Sequence, residues 1–576
     1  MKLARLAAAA VALGGCSLLV PSPDDYTYTR SIDGGMDASV DAGPAPEAGV
    51  DAGPPMGDGG DCAPETCNGE DDDCDGTTDE EPTECGGPNE TTTCGSGRCE
   101  VDGCASGFGD CNADPGCETD VTDSDTNCGT CGMACTEFGE SCVSGACGYP
   151  EIRDVVVFAS DGDAWPNALH IGPGGEMTIA MRIDGSVDLP GRSVSSTGNA
   201  AAVIRLSPDR SSTEWAEVIQ ASDDTTATDV DVSSSGITYA TGEYRGSITV
   251  DGETHDTGPM SFGWGFVWSL DSSGTLRRFV SLEAGDSVLP TALVHMGGIS
   301  FVGGESSGDF IFADNSLGSS DAALASVPDS GTVAAEVYGG TGSDRFASLT
   351  LAADGSLVAT GSYEVSADFG GGSLPGAAAD GSQFVLAVYD SFGVLDWALG
   401  AGSPGSDGAG PVATDDASNI FWTAYPGGGI DVGGGPTTPI DGNYVLVGSH
   451  TRAGEYRWER QFRNLVVGDA VTRGSELVLC GTVTPRAGPS GDISPEGDVP
   501  YEGSSDGIVI ALDRDDGGVA WLRTWGGPGV DVCTAVETGP AGEVWVLARS
   551  NDTVVLDGST HTPTADFDGF LFRVVP

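Results

Sequence analysis

Short apolar stretches recur along the chain beyond residue 150, and apolar and polar positions alternate within each of them before a turn. Seven such stretches are GEMTIAM (175–181), GITYATG (236–242), GISFVGG (298–304), GSLVATG (355–361), SNIFWTA (418–424), SELVLCG (475–481) and GEVWVLA (542–548). This alternation is typical of a β-strand with one face in the core. Successive stretches begin about 57 to 67 residues apart, which indicates a repeated unit of that length.

Each repeat also contains the pattern of further strands. A third strand recurs as AAVIRL, GFVWSL, AALASV, FVLAVYD, YVLVGS, GIVIALD and GFLFRVV. Asp/Ser/Gly turns follow this strand, and a fourth strand is marked by Trp215, Trp397, Trp458 and Trp521. The unit is therefore predicted to be a four-stranded antiparallel sheet that occurs seven times. Consecutive units of this kind are typical of a β-propeller, whose radial packing leaves only short edges.

The two ends of the repeat region predict how the ring closes. The seventh unit ends at residues 573–576 in its third strand, and IRDVVVFAS (152–160) precedes the first complete unit. We therefore predict an all-β fold for residues 151–576, a seven-bladed β-propeller with four-stranded blades in which the N-terminal strand closes the last blade. The repeats resemble the SBBP-type propeller repeats of bacterial surface lipoproteins, a family defined by its fold more than by an activity.

One acidic or amide residue recurs 13 residues before the first apolar position of the second strand. The residues are Asp224, Asp286, Asp344, Asp407, Asn464 and Asp531. The first unit has Ala164 there, with Asp163 adjacent. Two interpretations are open: a cap whose oxygens accept backbone N–H groups in the turn between blades, or an acidic ring at one mouth of the channel that attracts cations or the hydroxyl groups of a sugar.

Two cysteines stand alone in neighbouring repeats. Cys480 lies on the second strand of one repeat and Cys533 on the first strand of the next. They form a disulfide if their Cα atoms lie within about 7 Å of each other, and otherwise they are two buried thiols.

Charge and residue usage exclude several functions. The chain has 23 Lys+Arg against 88 Asp+Glu, a net charge of −65, so it repels nucleic acid and anionic membrane surfaces. The only lysine is Lys2, which excludes a lysine nucleophile. The five histidines lie in separate repeats, HExxH is absent, and the two Gly-x-Ser-x-Gly strings around Ser306 and Ser505 lie in β-repeat loops rather than in a strand-to-helix turn. We recognise no catalytic constellation.

The N-terminal region predicts export and a lipid anchor. Residues 1–16 combine Lys2 and Arg5 with a short apolar run and end in Leu-Gly-Gly-Cys, the organisation of a signal peptide. This ending resembles a bacterial lipobox, and the resemblance implies that Cys16 carries lipid. Ser17 stands where an Asp often retains lipoproteins in the inner membrane, which suggests the outer membrane, facing the periplasm or the cell surface. The alternative is an ordinary signal peptide.

Residues 17–61 are rich in Asp, Ala, Gly and Pro and have almost nothing to bury. We expect a disordered acidic linker, with membrane contact only through the lipid anchor.

Residues 62–150 contain fourteen of the 17 cysteines and few large apolar residues. A segment of this composition in an exported protein depends on disulfides rather than on an apolar core. Cys128, Cys131 and Cys135 have a spacing that could also suit zinc, but an oxidising compartment favours disulfides. We predict an irregular, disulfide-rich segment whose connectivity the sequence leaves open.

An acidic loop lies within this segment, in CNGEDDDCDGTTDEE (67–81). Counted from Asp71, the residues at positions 1, 3, 5, 7 and 9 of an EF-hand-type loop are Asp71, Asp73, Asp75, Thr77 and Asp79. Gly76 permits the sharp turn, and alternate oxygen ligands suit Ca²⁺. Pro82 replaces the glutamate of position 12, so Glu80 is the substitute ligand we consider, with Glu81 as a further one.

Residues 64–76 also resemble the short, Cys-framed metal-binding motif of the MopE type, found in surface proteins of myxobacteria and their relatives. The resemblance implies a structural cation, and Ca²⁺ is the cofactor that we expect. The alternative is a solvated acidic turn between disulfides.

Together these features predict a lipid-anchored, exported binding or scaffold protein. Its propeller face would bind a protein or polysaccharide ligand, and its disulfide-rich segment would hold calcium. The alternative function is an extracellular propeller enzyme, a glycoside hydrolase or lyase that acts on polysaccharide.

Overall fold

The computed structural model of the chain describes residues 64–576 except 65, 74–75, 80–84, 86, 88, 96, 113–115, 136–138, 144, 259–261, 310–316, 375, 377–380, 441–443, 485–490, 495–496 and 500. Every regular element in these ranges is a β-strand. Within them, no helix has the length and apolar character needed to cross a bilayer. The chain divides into two compact units: one contains residues up to Ser106 together with Asp114–Glu118, and the other contains Gly107–Ala113 together with Thr119–Pro576.

The first unit contains one hairpin, formed by β1 (Glu90–Gly95) and β2 (Arg98–Cys104). Its described cysteines form the disulfides Cys67–Cys94, Cys85–Cys99 and Cys104–Cys117. These cross-links lie among short loops with little apolar surface, as expected for a segment that disulfides hold together.

The second unit begins with four short strands, β3 (Phe108–Gly109), β4 (Thr119–Asp120), β5 (Ser141–Val143) and β6 (Ala146–Gly148). Strand β3 pairs with β4, and β5 pairs with β6. The disulfides here are Cys111–Cys131, Cys128–Cys142 and Cys135–Cys147. The prediction of disulfides in this segment is therefore confirmed, and the three cysteines with zinc-like spacing are each bonded to a different partner.

The remaining strands belong to the propeller. The first of them are β7 (Glu151–Ser160), β8 (Asp163–Ile171), β9 (Met177–Asp184), β10 (Ser186–Leu189), β11 (Arg192–Ser195), β12 (Ala200–Leu206), β13 (Thr213–Ile219), β14 (Asp224–Val232), β15 (Thr238–Arg245), β16 (Ser247–Val250), β17 (Glu253–Asp256), β18 (Trp264–Leu270), β19 (Leu276–Leu282), β20 (Ser287–Met296), β21 (Ile299–Ser307), β22 (Asp321–Pro328) and β23 (Ala334–Gly340). The others are β24 (Arg345–Leu351), β25 (Leu357–Glu364), β26 (Ala367–Asp368), β27 (Ser373–Leu374), β28 (Ser382–Tyr389), β29 (Leu395–Ala401), β30 (Gly408–Thr414), β31 (Ile420–Tyr425), β32 (Tyr444–His450), β33 (Tyr456–Arg463), β34 (Leu465–Arg473), β35 (Glu476–Val483), β36 (Gly491–Ser494), β37 (Gly497–Val499), β38 (Asp506–Asp513), β39 (Val519–Trp525), β40 (Asp531–Thr538), β41 (Val544–Ser550), β42 (Val554–Leu556), β43 (Ser559–His561) and β44 (Asp568–Val575).

Among the described residues, these strands form seven four-stranded antiparallel sheets, called blades here. From the inner to the outer strand, blade 1 is β8-β9-β12-β13, blade 2 is β14-β15-β18-β19, blade 3 is β20-β21-β22-β23, blade 4 is β24-β25-β28-β29, blade 5 is β30-β31-β32-β33, blade 6 is β34-β35-β38-β39 and blade 7 is β40-β41-β44-β7. Each inner strand contacts the inner strand of the next blade, and β40 contacts β8. The inner strands therefore form a closed ring around a channel, and the all-β propeller fold is confirmed.

The two middle strands of the blades are buried on both faces. All seven residues of β12 are buried, whereas the inner strand β8 alternates between buried and partly exposed positions. The reason is that each blade packs face to face against its neighbours. The apolar cluster between blades 7 and 1, for example, joins Phe158 and Leu571 to Ile179 and Ile204.

The N-terminal strand closes the ring, as predicted. Strand β7 pairs antiparallel with β44, with Ile152 opposite Val574 and Phe158 opposite Gly569. Ser160 N–H also donates to Asp568 Oδ1 over 2.8 Å. The outer edge of blade 7 is covered in turn by β10, where Val187 lies opposite Ser160, so the closing strand has a partner on both sides and is not a free sheet edge.

We predict that Phe158→Ala lowers the free energy of unfolding by about 3–5 kcal/mol, because it leaves a cavity where β7 packs between two blades. Phe158 is fully buried, whereas Val555, on the β42–β43 hairpin between the strands of blade 7, is 55% exposed. Val555→Ala is therefore the control and should change stability by less than about 0.5 kcal/mol. Urea unfolding of both variants measures the difference. Equal losses would contradict the closing role of β7.

Candidate functional site

Each of the seven inner strands carries a β-bulge at the same level of the channel. The bulged residues are Asn167, Thr228, Thr291, Ala347, Gly410 with Pro411, Gly468 and Thr534. All of them line the central channel, a cavity of about 690 Å³. A bulge leaves one residue out of the ladder and re-aims its side chain, so the channel contains a ring of bulges.

Bulged side chains connect one blade to the next. Asn167 Nδ2 donates to the carbonyl of Ala227 over 2.7 Å. Thr228 Oγ1 donates to Pro290 over 3.2 Å. Thr291 Oγ1 donates to Phe346 over 3.0 Å. In each case the acceptor is the carbonyl just before the bulge of the following blade, and we call this hydrogen bond the bulge junction.

Where the bulged residue cannot donate, another group makes the connection. Thr360 Oγ1 donates to the Gly410 carbonyl over 2.7 Å, in place of Ala347. Tyr425 O–H donates to the Val467 carbonyl over 2.9 Å, in place of Gly410. At the next junction the bulged residue is Gly468, and there a disulfide joins Cys480 of blade 6 to Cys533 of blade 7, with Cα atoms 5.5 Å apart. Of the two interpretations of this cysteine pair, the structure contains the disulfide.

Carboxylates below the bulges make a second set of connections between blades. Asp229 Oδ2 accepts from Leu293 N–H over 2.6 Å, and Asp469 Oδ2 accepts from Val536 N–H over 2.9 Å. Asp231 Oδ2 accepts from His295 N–H over 2.6 Å, and its Oδ1 lies 3.2 Å from His170 Nδ1. Burial between the strands raises the pKa of Asp229 and of Asp469 to about 7. Asp229, Asp231 and Asp469 are thus occupied with the backbone of neighbouring inner strands.

The recurring acidic positions lie at or just before the start of the inner strands. Three of them are almost completely buried: Asp344 is 1% exposed, and Asp407 and Asp531 are 0% exposed. In each, Oδ2 accepts the N–H of the residue four positions earlier, over 2.7 Å, 2.6 Å and 2.9 Å respectively. Burial raises the pKa of Asp344 to about 6. At these three positions the geometry is that of the predicted cap.

The other recurring positions differ. Asp286 Oδ2 accepts from Ser307 Oγ over 3.5 Å. Asn464 adopts a φ of 52° and its carbonyl accepts from Thr484 N–H over 2.8 Å. None of the six residues lines the channel cavity, and Asp224 is the one that lines a second cavity at the channel mouth, so the six side chains do not form one ring around the channel.

A cavity of about 520 Å³, called the mouth cavity here, lies at the end of the channel where the inner strands begin. It is lined by Trp165, Asn167, Arg182, Asp224, Thr226, Thr228, Glu243, Gly468, Val532, Cys533, Thr534 and Arg549. Asn167, Thr228, Gly468 and Thr534 line the channel as well, so the mouth cavity opens directly onto the ring of bulges.

Trp165 and two arginines form one wall of the mouth cavity. The guanidinium carbons of Arg182 and Arg549 lie 3.8 Å and 4.1 Å from the centre of the Trp165 ring. Arg182 Nη2 donates to Asp163 Oδ2 over 3.2 Å. Burial and, to a smaller extent, the neighbouring Arg182 lower the pKa of Arg549 to about 10, while the charge of Asp163 opposes this shift.

Sequence reasoning missed these residues, although the repeat carries a signal for them. Arg182, Glu243 and Arg549 occupy the same repeat position on the second strand. In each blade the residue just before the bulge pairs with a residue of the second strand, and the charged residue directly follows that partner. A charged side chain at this position interrupts an otherwise apolar second strand. Superposing the seven repeats at this position marks these three residues together with Glu305 of blade 3, and only the closed ring shows that Arg182, Glu243 and Arg549 share one cavity.

The predicted calcium loop is described in part. Asp71 Oδ2 accepts from Gly76 N–H over 3.0 Å, and Gly76 has a φ of 93°, so the sharp turn is present. Asp79 Oδ1 accepts from the N–H groups of Asn68 and Gly69 over 2.9 Å and 2.8 Å. Asp71, Asp73 and Asp79 do not bring three carboxylate oxygens within 4.8 Å of one another. Thr77 is described, whereas Asp75, Glu80 and the predicted lipidation site Cys16 lie outside the described residues.

Comparison with known proteins finds the fold and no family. No family model and no curated protein matches the chain. Similar solved structures include the Pan2 WD40 domain of Neurospora crassa (9% identity, TM-score 0.35, 74% of this chain and 97% of that chain). A virginiamycin B lyase of Staphylococcus aureus is 9% identical with a TM-score of 0.38, and the match covers 72% of this chain and 98% of that chain. The endosialidase of phage phi92 is 10% identical with a TM-score of 0.34, and the match covers 73% of this chain and 70% of that chain. At these identities the likeness concerns the fold alone.

We predict that the stability of the protein falls as the pH rises from about 4 to about 7, partly through Asp229 and Asp469. Their folded-state pKa values of about 7 exceed the ordinary value of 3.8, so over this range the folded state holds protons that the unfolded state has released. Asp229→Asn/Asp469→Asn should reduce the slope, measured by urea unfolding at several pH values. The exposed pair Asp188 and Asp223 gives the control Asp188→Asn/Asp223→Asn, and an unchanged slope in the channel variant would disprove the effect.

Proposed function

We propose that this protein is an exported binding protein, anchored at the outer membrane by lipid on Cys16, that uses the mouth cavity of its propeller to bind its ligand. Seven disulfides among the described residues are typical of an exported protein. The lipid anchor rests on the lipobox-like end of residues 1–16.

The main support for the mouth cavity as the ligand site is a contrast with the channel below it. The channel side chains named above, Asp229, Asp231 and Asp469, bond to the backbone of neighbouring strands. In the mouth cavity, Trp165 Nε1, Arg182 Nε and Arg549 Nε are buried without a hydrogen-bond partner among the described residues. Buried polar groups are nearly always paired, so the fold does not fully use the side chains of this wall. These three atoms lie too deep for a ligand to reach, but the same side chains line the cavity, and a ligand would bond to their accessible groups.

The enzyme alternative has some support in the channel. Carboxylates with raised pKa values often mark catalytic sites, and Asp229 and Asp469 face the channel. However, each of them accepts two backbone N–H groups, for example Val230 and Leu293 for Asp229. A structural role accounts for both carboxylates, and we therefore favour binding over catalysis.

We predict that Thr226→Trp abolishes binding of the full exported chain to an array of acidic and neutral bacterial polysaccharides, because the larger side chain fills the mouth cavity. Thr226 lines that cavity, whereas Thr249 lies exposed on the β16–β17 hairpin, so Thr249→Trp is the control and should bind normally. Thermal unfolding of both variants checks that the fold is kept. Binding that survives Thr226→Trp would place the ligand elsewhere and refute this proposal.

We further propose that the loop at residues 71–80 binds a structural Ca²⁺. Support comes from the alternating oxygens of Asp71, Asp73 and Thr77, which suit a hard cation, and from the turn at Gly76. Asp79 is directed toward the backbone of residues 68–69, which favours a weak site, with a dissociation constant on the order of 10⁻⁴–10⁻³ M as in other extracellular calcium modules.

For this site we expect heat of Ca²⁺ binding in calorimetry of the full chain, and its loss in Asp71→Asn/Asp73→Asn, since both substitutions remove a charged ligand. The control is Asp102→Asn/Asp123→Asn, which changes the same net charge at exposed positions. No heat from the unsubstituted protein at millimolar Ca²⁺, or equal heat in both variants, would rule out the site.

A further inference from the structure

The two walls of the mouth cavity carry opposite charge. Arg182 and Arg549 lie beside Trp165 on one side, and Asp224 and Glu243 come from blade 2 on the other. The chain has only 23 basic residues against 88 acidic ones. In so acidic a protein, two arginines that line one cavity form a rare local concentration of positive charge. They mark the side of the cavity where an anion is favoured.

Arg549 forms no close ion pair within the part of the chain that the structure describes, and Asp163, the ion-pair partner of Arg182, is the carboxylate whose charge acts on it. The contacts of Arg549 there are the rings of Trp165 and Phe567, at 4.1 Å and 5.6 Å, and its Nε is buried without an acceptor. Stacking on an aromatic ring uses the face of a guanidinium and leaves its in-plane N–H groups free. Arg549 is half-buried, and the one carboxylate near it is shared with Arg182. Two guanidinium groups thus face a single anion, and because an uncompensated, partly desolvated cation is costly, this wall favours a further anion.

Two further donors of the same wall are also unsatisfied. Arg182 has its ion pair with Asp163, but its Nε has no acceptor, and neither has Trp165 Nε1. A carboxylate is planar and can accept from a guanidinium through both oxygens. It would balance the charge of the two guanidinium groups better than a neutral group, whereas Arg182 Nε and Trp165 Nε1 themselves lie too deep for a ligand to reach.

The opposite wall offers acceptors. Asp224 Oδ1 is buried without a donor among the described residues. Burial and the nearby Asp224 raise the pKa of Glu243. Between the walls lie the polar side chains of Asn167, Thr226 and Thr534. A ligand that fits both walls must carry an anion at one end and several hydroxyl donors at the other.

We propose that the mouth cavity binds a hexuronic acid residue of a polysaccharide, with the carboxylate of the sugar on Arg549, Arg182 and Trp165 and its hydroxyl groups on Asp224 and Glu243. This proposal rests on the proposed function of the mouth cavity and names its ligand class. A volume of about 520 Å³ lies within the usual range of ligand pockets, roughly 300–1,000 Å³, and leaves room for one or two sugar residues.

The test is calorimetry of the full exported chain with glucuronate, galacturonate and a galacturonate dimer. Glucose and galactose are the neutral counterparts, and acetate is the anion without hydroxyl groups. We expect the sugar acids to bind and the neutral sugars and acetate to bind at least about tenfold more weakly. The neutral sugars lack the carboxylate that would contact the arginine wall, and acetate lacks the hydroxyl groups that would contact the acidic wall. Binding of acetate as tight as that of the sugar acids would show a simple anion site and overturn the proposal.

The matched variants are Arg549→Gln, which keeps a planar polar group but removes the charge, and Arg192→Gln on the exposed hairpin strand β11. We expect at least about tenfold weaker galacturonate binding for Arg549→Gln and unchanged binding for Arg192→Gln. Because Arg549 also packs at the seam between blades 7 and 1, Asp224→Asn on the opposite wall serves as a second variant, with an expected loss of severalfold.

The outcomes separate the two proposals. Neutral polysaccharides that bind and are blocked by Thr226→Trp would overturn the uronic acid proposal and leave the mouth cavity as the ligand site. Sugar acids that bind equally to the unsubstituted chain, to Arg549→Gln and to Thr226→Trp would overturn both proposals.

Discussion

The ring depends on hydrogen bonds at the free edge of each inner strand, where no further strand of the same sheet pairs with it. An inner strand has a sheet partner on one side only, and its other edge faces the channel with backbone groups that no strand can pair. A buried carbonyl or N–H group left in this state costs about 1–3 kcal/mol. The bulge junctions satisfy one carbonyl at the edge of the next blade, as Asn167 does for Ala227, and Asp229 and Asp469 satisfy N–H groups one step further along.

This constraint also decides where a ligand can be recognised. The polar side chains of the channel are used to hold neighbouring blades together, and substitution there would cost stability. Above the ring of bulges, side chains of the second strands join those of the inner strands in lining the mouth cavity. Arg182 and Arg549 project from second strands, and their Nε groups make no hydrogen bond to the backbone of a neighbouring blade among the described residues. The same repeat position differs between blades: it is Arg182 in blade 1 and Glu243 in blade 2, whereas Tyr425 in blade 5 makes a bulge junction from it.

Local patterns were enough to predict the strands, the repeat and the closing role of residues 152–160, because alternation and repeat length are properties of consecutive residues. The bulges depend on which residues of two strands face each other, and nothing in one strand marks them. The spacing of Asp344, Asp407 and Asp531 fits a cap and an acidic ring equally well, since both need a carboxylate at the same place; only burial separates them. Trp165, Arg182 and Arg549 converge from two blades that are remote in sequence, so their cluster required the closed ring.

The pairing of β7 with β44 has a consequence for how such a chain matures after secretion. Residues 408 positions apart must meet before the last blade is complete, and contacts of such long sequence separation form slowly. A chain that crosses a membrane from its N-terminal end delivers β7 early and its partner last. Until then the strand that will seal the ring has an unpaired edge, which can pair with a neighbouring molecule instead.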